Sequence, residues 1–111
     1  MDFAAGIIGA GAWGTAIAQS IALTGQKTLI WCYEESTLKS INKEKVNPFL
    51  PNTPLAETIE ASQSFKDIAE ACKTIFIAVP AQYYTETLSQ LNSHITSEHQ
   101  IIICSKGFRP S

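Results

Sequence analysis

Ile7-Ile8-Gly9-Ala10-Gly11-Ala12-Trp13-Gly14-Thr15-Ala16 places a Gly-x-Gly-x-x-Gly run directly after an apolar, strand-like stretch and directly before an Ala/Ile-rich helical one. Each glycine has its own mechanical reason in such a place. Gly9 lets the chain turn sharply out of the strand, Gly11 lets a diphosphate approach bare backbone, and Gly14 lets the helix pack close on the strand. The helix that follows aims its unpaired N–H groups and the positive end of its dipole at the loop, so phosphates can be held without a basic side chain. Residues 3 to 26 contain no Lys or Arg. The pattern therefore predicts a dinucleotide-binding strand–loop–helix, with Gly9, Gly11 and Gly14 at the diphosphate.

Working outward, Phe3 to Ile8 reads as a first strand buried on both faces, and Ala12 to Leu23 as a helix stopped by Gly25. Lys27 to Cys32 is rich in β-formers and too short for a helix, so it is a second strand. Glu34 stands twenty residues after Gly14, where dinucleotide folds place the acid that accepts hydrogen bonds from the adenosine ribose. Glu34 and Glu35 are equally well placed as N-terminal acids of a short helix over Ser36 to Lys45. Both roles are compatible. Residues 46 to 58 hold three of the five prolines and predict a loop, followed by a short third strand from Thr58 to Ala61.

Ser64 and Asp67 have the form of a capping box with Asp in place of Glu, opening a helix that carries Phe65, Ile68, Ala69 and Cys72 on one side. Thr74 to Val79 is a buried fourth strand ended by Pro80, a helix follows from Tyr83 to Leu91, and Gln100 to Ser105 predicts a buried fifth strand. Five strands with helices in most connections imply an α/β fold: a Rossmann-like, doubly wound parallel sheet in three α/β/α layers. In such a sheet ligands sit past the carboxyl ends of the strands where strand order reverses, between the first and fourth strands. Gly9 to Trp13, Tyr33-Glu34, Pro80 to Gln82 and Lys106 all follow strand ends.

The 111 residues are enough for one domain and one core. With 45% hydrophobic residues, 16% charged residues and a net charge of −2, a basic surface for nucleic acid or acidic membranes is not expected. No stretch approaches the roughly 18 apolar residues of a spanning helix, and no signal segment is evident, which predicts a cytosolic protein. Cys32, Cys72 and Cys104 are odd in number, far apart and set in apolar stretches, so they read as reduced core thiols rather than metal ligands. His94 and His99 lack partners for a metal site and read as surface residues. Tyr83 and Tyr84 suit either cofactor contact or packing of a first helical turn. Taken alone, Lys106 is a solvated lysine.

These residues resemble the NAD(P)-dependent glycerol-3-phosphate dehydrogenases of the bacterial type. Gly9 to Ala16 is similar to that family's opening motif, and Ile30-Trp31 with Tyr33-Glu34 to its second-strand ending. Asn47-Pro48-Phe49-Leu50-Pro51 is similar to its Asn…Leu-Pro loop, Ala78-Val79-Pro80 to its fourth-strand exit, and Ser105-Lys106-Gly107 to its Lys-Gly turn. The resemblance spans nearly the whole chain but only the family's first domain. It implies an enzyme that moves hydride between nicotinamide and the secondary carbon of glycerol 3-phosphate, interconverting it with dihydroxyacetone phosphate. It also implies that Ala12 and Trp13 line the cofactor phosphate loop, that Tyr33 lies at the adenosine 2′ position, that Pro80 borders the cofactor, and that Lys106 touches both cofactor and glycerol phosphate.

Many bacterial relatives have Arg at the Tyr33 position; here Tyr33 offers no positive charge and Glu34 would repel a 2′-phosphate, which favours NAD over NADP. In the family a second, helical domain supplies the lysine general base and most substrate contacts. By resemblance, then, residues 1–111 are a cofactor-binding piece without catalytic residues, from an enzyme that is a possible homodimer. Two other readings use parts of the same pattern: an S-adenosylmethionine-binding methyltransferase domain and a stand-alone nucleotide-sensing module.

Overall fold

The computed structural model describes residues 3–48, 50 and 53–104. Its elements are β1 (Ala5–Ile8), α1 (Ala12–Ala22), β2 (Thr28–Trp31), α2 (Glu35–Lys39), β3 (Ile59–Ser62), α3 (Phe65–Ala71), β4 (Thr74–Ile77), α4 (Tyr84–Asn92) and β5 (Gln100–Ile103). All strand pairs are parallel, in the order β3-β2-β1-β4-β5. Strand order therefore reverses at β1, and the expected switch point between β1 and β4 is present.

Because successive strand residues face opposite sides of a sheet, β1 supplies both halves of the core. Ala5 and Ile7 join Ile30, Ile59 and Ala61 on the face that packs against Ala18 and Ala22 of α1. Ile8 joins Leu29, Ile75 and Ile77 on the other face, against Ile68 and Cys72 beneath α3 and Leu91 of α4. This double cover is why β1 and β4 read as largely apolar, buried strands.

Three expectations change. The predicted helix over Ser36 to Lys45 begins at Glu35 and loosens after Lys39 into a π turn, Ser40–Glu44, closed by Lys45 in a left-handed conformation (φ 55°). The wider turn brings the Asn42 amide alongside β3. Its Nδ2 donates to the Ala61 carbonyl at 3.1 Å and its Oδ1 accepts from the Ala61 N–H at 2.7 Å, as a neighbouring strand would. Lys45 Nζ donates to the Ile59 carbonyl at 2.6 Å, and the Ile59 N–H donates to Ala56 O at 3.1 Å. The outer backbone groups of Ile59 and Ala61 are thus all paired, which removes the liability of an edge strand.

The second change concerns β5, which is not buried. It lies at the end of the sheet, and Ile102 and Ile103 are 38% and 52% exposed. Cys104, just after it, is only half-buried, whereas Cys32 and Cys72 are core thiols as expected. Third, the capping box at α3 is only half made. Asp67 N–H donates to Ser64 Oγ at 3.1 Å, but the Ser64 N–H is taken by Ser62 Oγ at 3.0 Å. Asp is a methylene shorter than the Glu of the full motif, and Ser62 supplies the second acceptor.

Candidate functional site

At the carboxyl end of β1 the chain leaves the sheet through Gly9, whose φ of 121° lies in a region that side chains rarely adopt. A Cβ there would lie 2.6 Å from the Ala78 carbonyl oxygen. Gly11 then serves as the N-cap of α1, with no side-chain cap, and the Thr15 N–H makes the first helical bond back to Gly11 O at 2.9 Å. The N–H groups of Ala12, Trp13 and Gly14 precede that bond and have no acceptor within the helix. Gly14 sits against the turn itself: a Cβ would meet the Gly9 oxygen at 2.0 Å. At Gly11 a Cβ would meet nothing within 4 Å. Two glycines make the turn compact and the third leaves its outer side open.

In front of this turn is a crevice of about 690 Å³. Gly9, Ala10 and Gly11 form its floor; Trp31 to Glu34, Thr37 and Phe65 line one side, and Ala78 to Pro80, Tyr83, Glu86, Thr87 and Gln90 the other. The two sides come from β2 and from β4 with α4, so the crevice straddles the switch point. Among these lining residues there is no Lys or Arg, while Glu34 and Glu86 are acidic. Attraction for an anion, among the described lining residues, comes from backbone N–H groups and the α1 dipole.

Of the residues expected at the site, Gly9, Gly11, Tyr33, Glu34 and Pro80 line the crevice together. Gly14 lies beneath its floor. Ala12 and Trp13 occupy the exposed first turn of α1 beside it, and Trp13 is 44% exposed. Tyr33 is 83% exposed at the mouth, its ring 6.4 Å from that of Trp31, which in turn stacks on Phe65 at 4.5 Å. Glu34 is the N-cap of α2, with no side-chain cap bond, and it lines the crevice. Glu35 is the first-turn acid, paired at the surface with Lys39 at 3.5 Å. Tyr83 reaches the crevice, whereas Tyr84 packs on the core and donates its hydroxyl to Cys104 O at 3.4 Å. Lys106, with Ser105 and Gly107, lies outside the described residues, as do Phe49 and Pro51.

His94 is exposed as expected, but His99 is half-buried and acts as a clip. Its Nδ1 accepts from the Thr96 N–H at 2.9 Å, which leaves Nε2 protonated and donating to Ala69 O at 2.7 Å. Among the described residues no three His, Cys, Asp or Glu side chains converge as a metal site would need. A second, more open concavity of about 520 Å³ is rimmed by Glu60, Asp67 and Glu70, a sign opposite to what a phosphate requires.

From the residues alone Asn47 reads as part of a rigid loop, and only the family resemblance makes Asn47 to Pro51 a candidate domain contact or active-site wall; neither reading anticipates its contact with the glycine turn. The Asn47 side chain is buried, and Nδ2 donates to Ala10 O at 2.9 Å and to Thr15 Oγ1 at 2.7 Å. The same loop is tied further along α1, where Gln19 Nε2 donates to Pro54 O at 3.0 Å and Gln19 Oε1 accepts from the Ala56 N–H at 2.9 Å. Thr15 and Gln19 are four residues apart and so share one helix face. The Asn47 partners are 32 and 37 positions distant, beyond the reach of any local pattern.

Cys32 lies on the crevice wall with its thiol pushed up from 9.0 to about 11, chiefly by burial, with a backbone hydrogen bond pulling down and the nearby Glu34 charge adding to the rise. Burial alone pushes Cys72 up to about 12 and raises Cys104. Since only the thiolate is nucleophilic, iodoacetamide at pH 8 is expected to modify Cys104 first and Cys32 and Cys72 only in the unfolded chain, as read by peptide mass spectrometry. The stability carried by the two buried thiols is complete below the unfolded value of 9.0 and is lost as pH rises toward 11 and 12. In that window the unfolded chain gives up its protons first, at a cost of roughly 1.4 kcal/mol per pH unit per thiol.

Comparison with known proteins places this geometry. Residues 4–111 match the family described as NAD-dependent glycerol-3-phosphate dehydrogenase N-terminus. A glycerol-3-phosphate dehydrogenase [NAD(P)+] from Neorickettsia sennetsu is 41% identical over 102 residues, which are 91% of this chain and 30% of that protein. The crystal structure of glycerol-3-phosphate dehydrogenase from Coxiella burnetii superposes with a TM-score of 0.87 at 34% identity, covering 96% of this chain and 33% of that one. The Saccharomyces cerevisiae enzyme superposes at 0.85 with 28% identity, over 98% of this chain and 35% of that one. The chain thus spans about a third of the length of the relatives it matches.

Proposed function

This chain belongs to the family of NAD-dependent glycerol-3-phosphate dehydrogenase N-termini, and we propose that it is the dinucleotide-holding domain of an enzyme that interconverts sn-glycerol 3-phosphate and dihydroxyacetone phosphate. The observation that carries this reading is the bare floor of the crevice. Open space in front of Gly11, the unpaired first turn of α1 and the lack of a cation among the described lining residues suit a diphosphate gripped by main-chain amides.

In this assignment Gly9, Gly11, Ala12, Trp13 and Gly14 surround the diphosphate, Tyr33 and Glu34 border the adenosine ribose, and Pro80 borders the nicotinamide side. The Glu34 carboxylate accepts from a ribose 2′-hydroxyl and repels a 2′-phosphate, so NAD is preferred over NADP. A bound nicotinamide supplies the hydride chemistry, and this chain supplies position and electrostatics. Lys106 is assigned, by the family resemblance, to the cofactor and the substrate phosphate as a point charge. The general base and most substrate contacts are assigned to a further domain, and the complete enzyme to the cytoplasm as a homodimer.

Calorimetric titration of the 111-residue chain with NADH, NADPH and S-adenosylmethionine tests the reading. Saturable binding of NADH, weaker binding of NADPH and no turnover of glycerol 3-phosphate are expected. A chain with native circular dichroism that binds neither dinucleotide, or that prefers S-adenosylmethionine, would overturn it.

A further inference from the structure

We propose that Asn47 is a positioning residue for the diphosphate loop, orienting the Gly11 N–H toward the crevice through the Ala10–Gly11 peptide. The proposal rests on the dinucleotide reading of the crevice. Its basis is a closed triangle of hydrogen bonds. Asn47 Nδ2 donates one hydrogen to Ala10 O at 2.9 Å and the other to Thr15 Oγ1 at 2.7 Å, and the Thr15 hydroxyl donates to Ala10 O at 3.2 Å. The Ala10 carbonyl is therefore held by two converging donors on the side of α1 and the 47–56 loop.

A peptide unit is planar, and in the trans form its C=O and N–H point in opposite directions. The described chain has no cis peptide. Fixing the Ala10 carbonyl against Asn47 and Thr15 consequently fixes the Gly11 N–H on the opposite side, toward the open space that a Cβ on Gly11 would enter. This peptide turns about ψ of Ala10 and φ of Gly11, and Gly11 eases its rotation because glycine permits both signs of φ at little cost. Without a clamp the same peptide could present its carbonyl oxygen to an anion instead of its N–H. Asn47 is suited to the task because its amide offers two donors at one atom and carries no charge. Both Asn47 and Thr15 are about 1% exposed, so water does not compete for these bonds.

A structural role alone would weaken every ligand of the crevice alike, and a positioning role would weaken only those with a diphosphate. The test measures NADH, ADP and adenosine binding to wild type, Asn47→Ala and Asn47→Asp by NMR titration, with thermal melts in parallel. Asn47→Ala is expected to lose about tenfold in affinity for NADH and ADP, the effect of one misdirected charge-assisted donor, with adenosine affinity unchanged. Asn47→Asp, which removes both donors and sets a negative charge beside the loop, is expected to lose more, with the same selectivity. Should either variant fail to fold, Thr15→Val removes one of the two donors to Ala10 and is expected to show the same selectivity at about threefold.

Equal losses for ADP and adenosine, or no loss in a folded variant, overturn the assignment to Asn47 and leave the dinucleotide reading intact. If wild type binds adenosine but neither ADP nor NADH, the dinucleotide reading fails first and the proposal with it.

Discussion

Gly14→Ala is expected to abolish dinucleotide binding and to lower the unfolding temperature by roughly 4–24 °C. The added Cβ would lie 2.0 Å from the Gly9 carbonyl oxygen and 3.0 Å from its carbon, and Gly9 is itself held with φ at 121° and hydrogen-bonded to Trp31 O at 3.1 Å. Neither partner is the end of a flexible side chain, so relief requires α1 to move away from the turn. Overpacking of this kind costs typically 1–3 kcal/mol, and each kcal/mol is worth about 4–8 °C in a domain near this size. Displacing α1 also withdraws its first-turn N–H groups from the crevice. Calorimetry and NADH titration read the two effects. A variant that melts within about 2 °C of wild type would show that helix and turn do not abut as described.

Gly11→Ala separates what Gly14→Ala combines. Gly11 has φ −73° and ψ −175°, allowed for any residue, and no atom lies within 4 Å of the added methyl. The loss of a good N-cap and the gain from a stiffer unfolded chain are each below about 1 kcal/mol and oppose one another. Stability is therefore expected to hold. The methyl, however, stands where the diphosphate must reach backbone, and pushing that group back weakens several charge-assisted hydrogen bonds, each worth about 1.5–3 kcal/mol. A loss of about 100-fold in NADH affinity is expected, close to 3 kcal/mol, with an unchanged melt. If NADH binds as tightly as to wild type, the floor of the crevice at Gly11 is not the anion site.

The contrast between these glycines was legible in the sequence, because the strand before them and the helix after them leave little choice of geometry. The strand β2 was legible from its β-formers and its shortness, and β1 and β4 because residues covered on both faces are largely apolar. The same logic failed at β5. Ile101, Ile102 and Ile103 form an equally apolar run, but a run of isoleucines reports what a strand tolerates and not what covers it, and the order of strands puts this one at the end of the sheet. Asn47 failed for the opposite reason. Its neighbours in sequence suggest a rigid loop and nothing more, and its chemistry exists only through Ala10 and Thr15, brought to it by the packing of the loop on α1. The far wall of the crevice, with Glu86, Thr87 and Gln90, was likewise hidden because those residues read as one polar side of an ordinary helix.

The side chains of Asn42 and Lys45, with the turn at Ala56, saturate the outward hydrogen-bonding groups of Ile59 and Ala61. Another polypeptide approaching that border would find no vacant donor or acceptor at either residue, so the pleated layer cannot be lengthened there. Strand addition is thereby closed off at this margin of the described sheet.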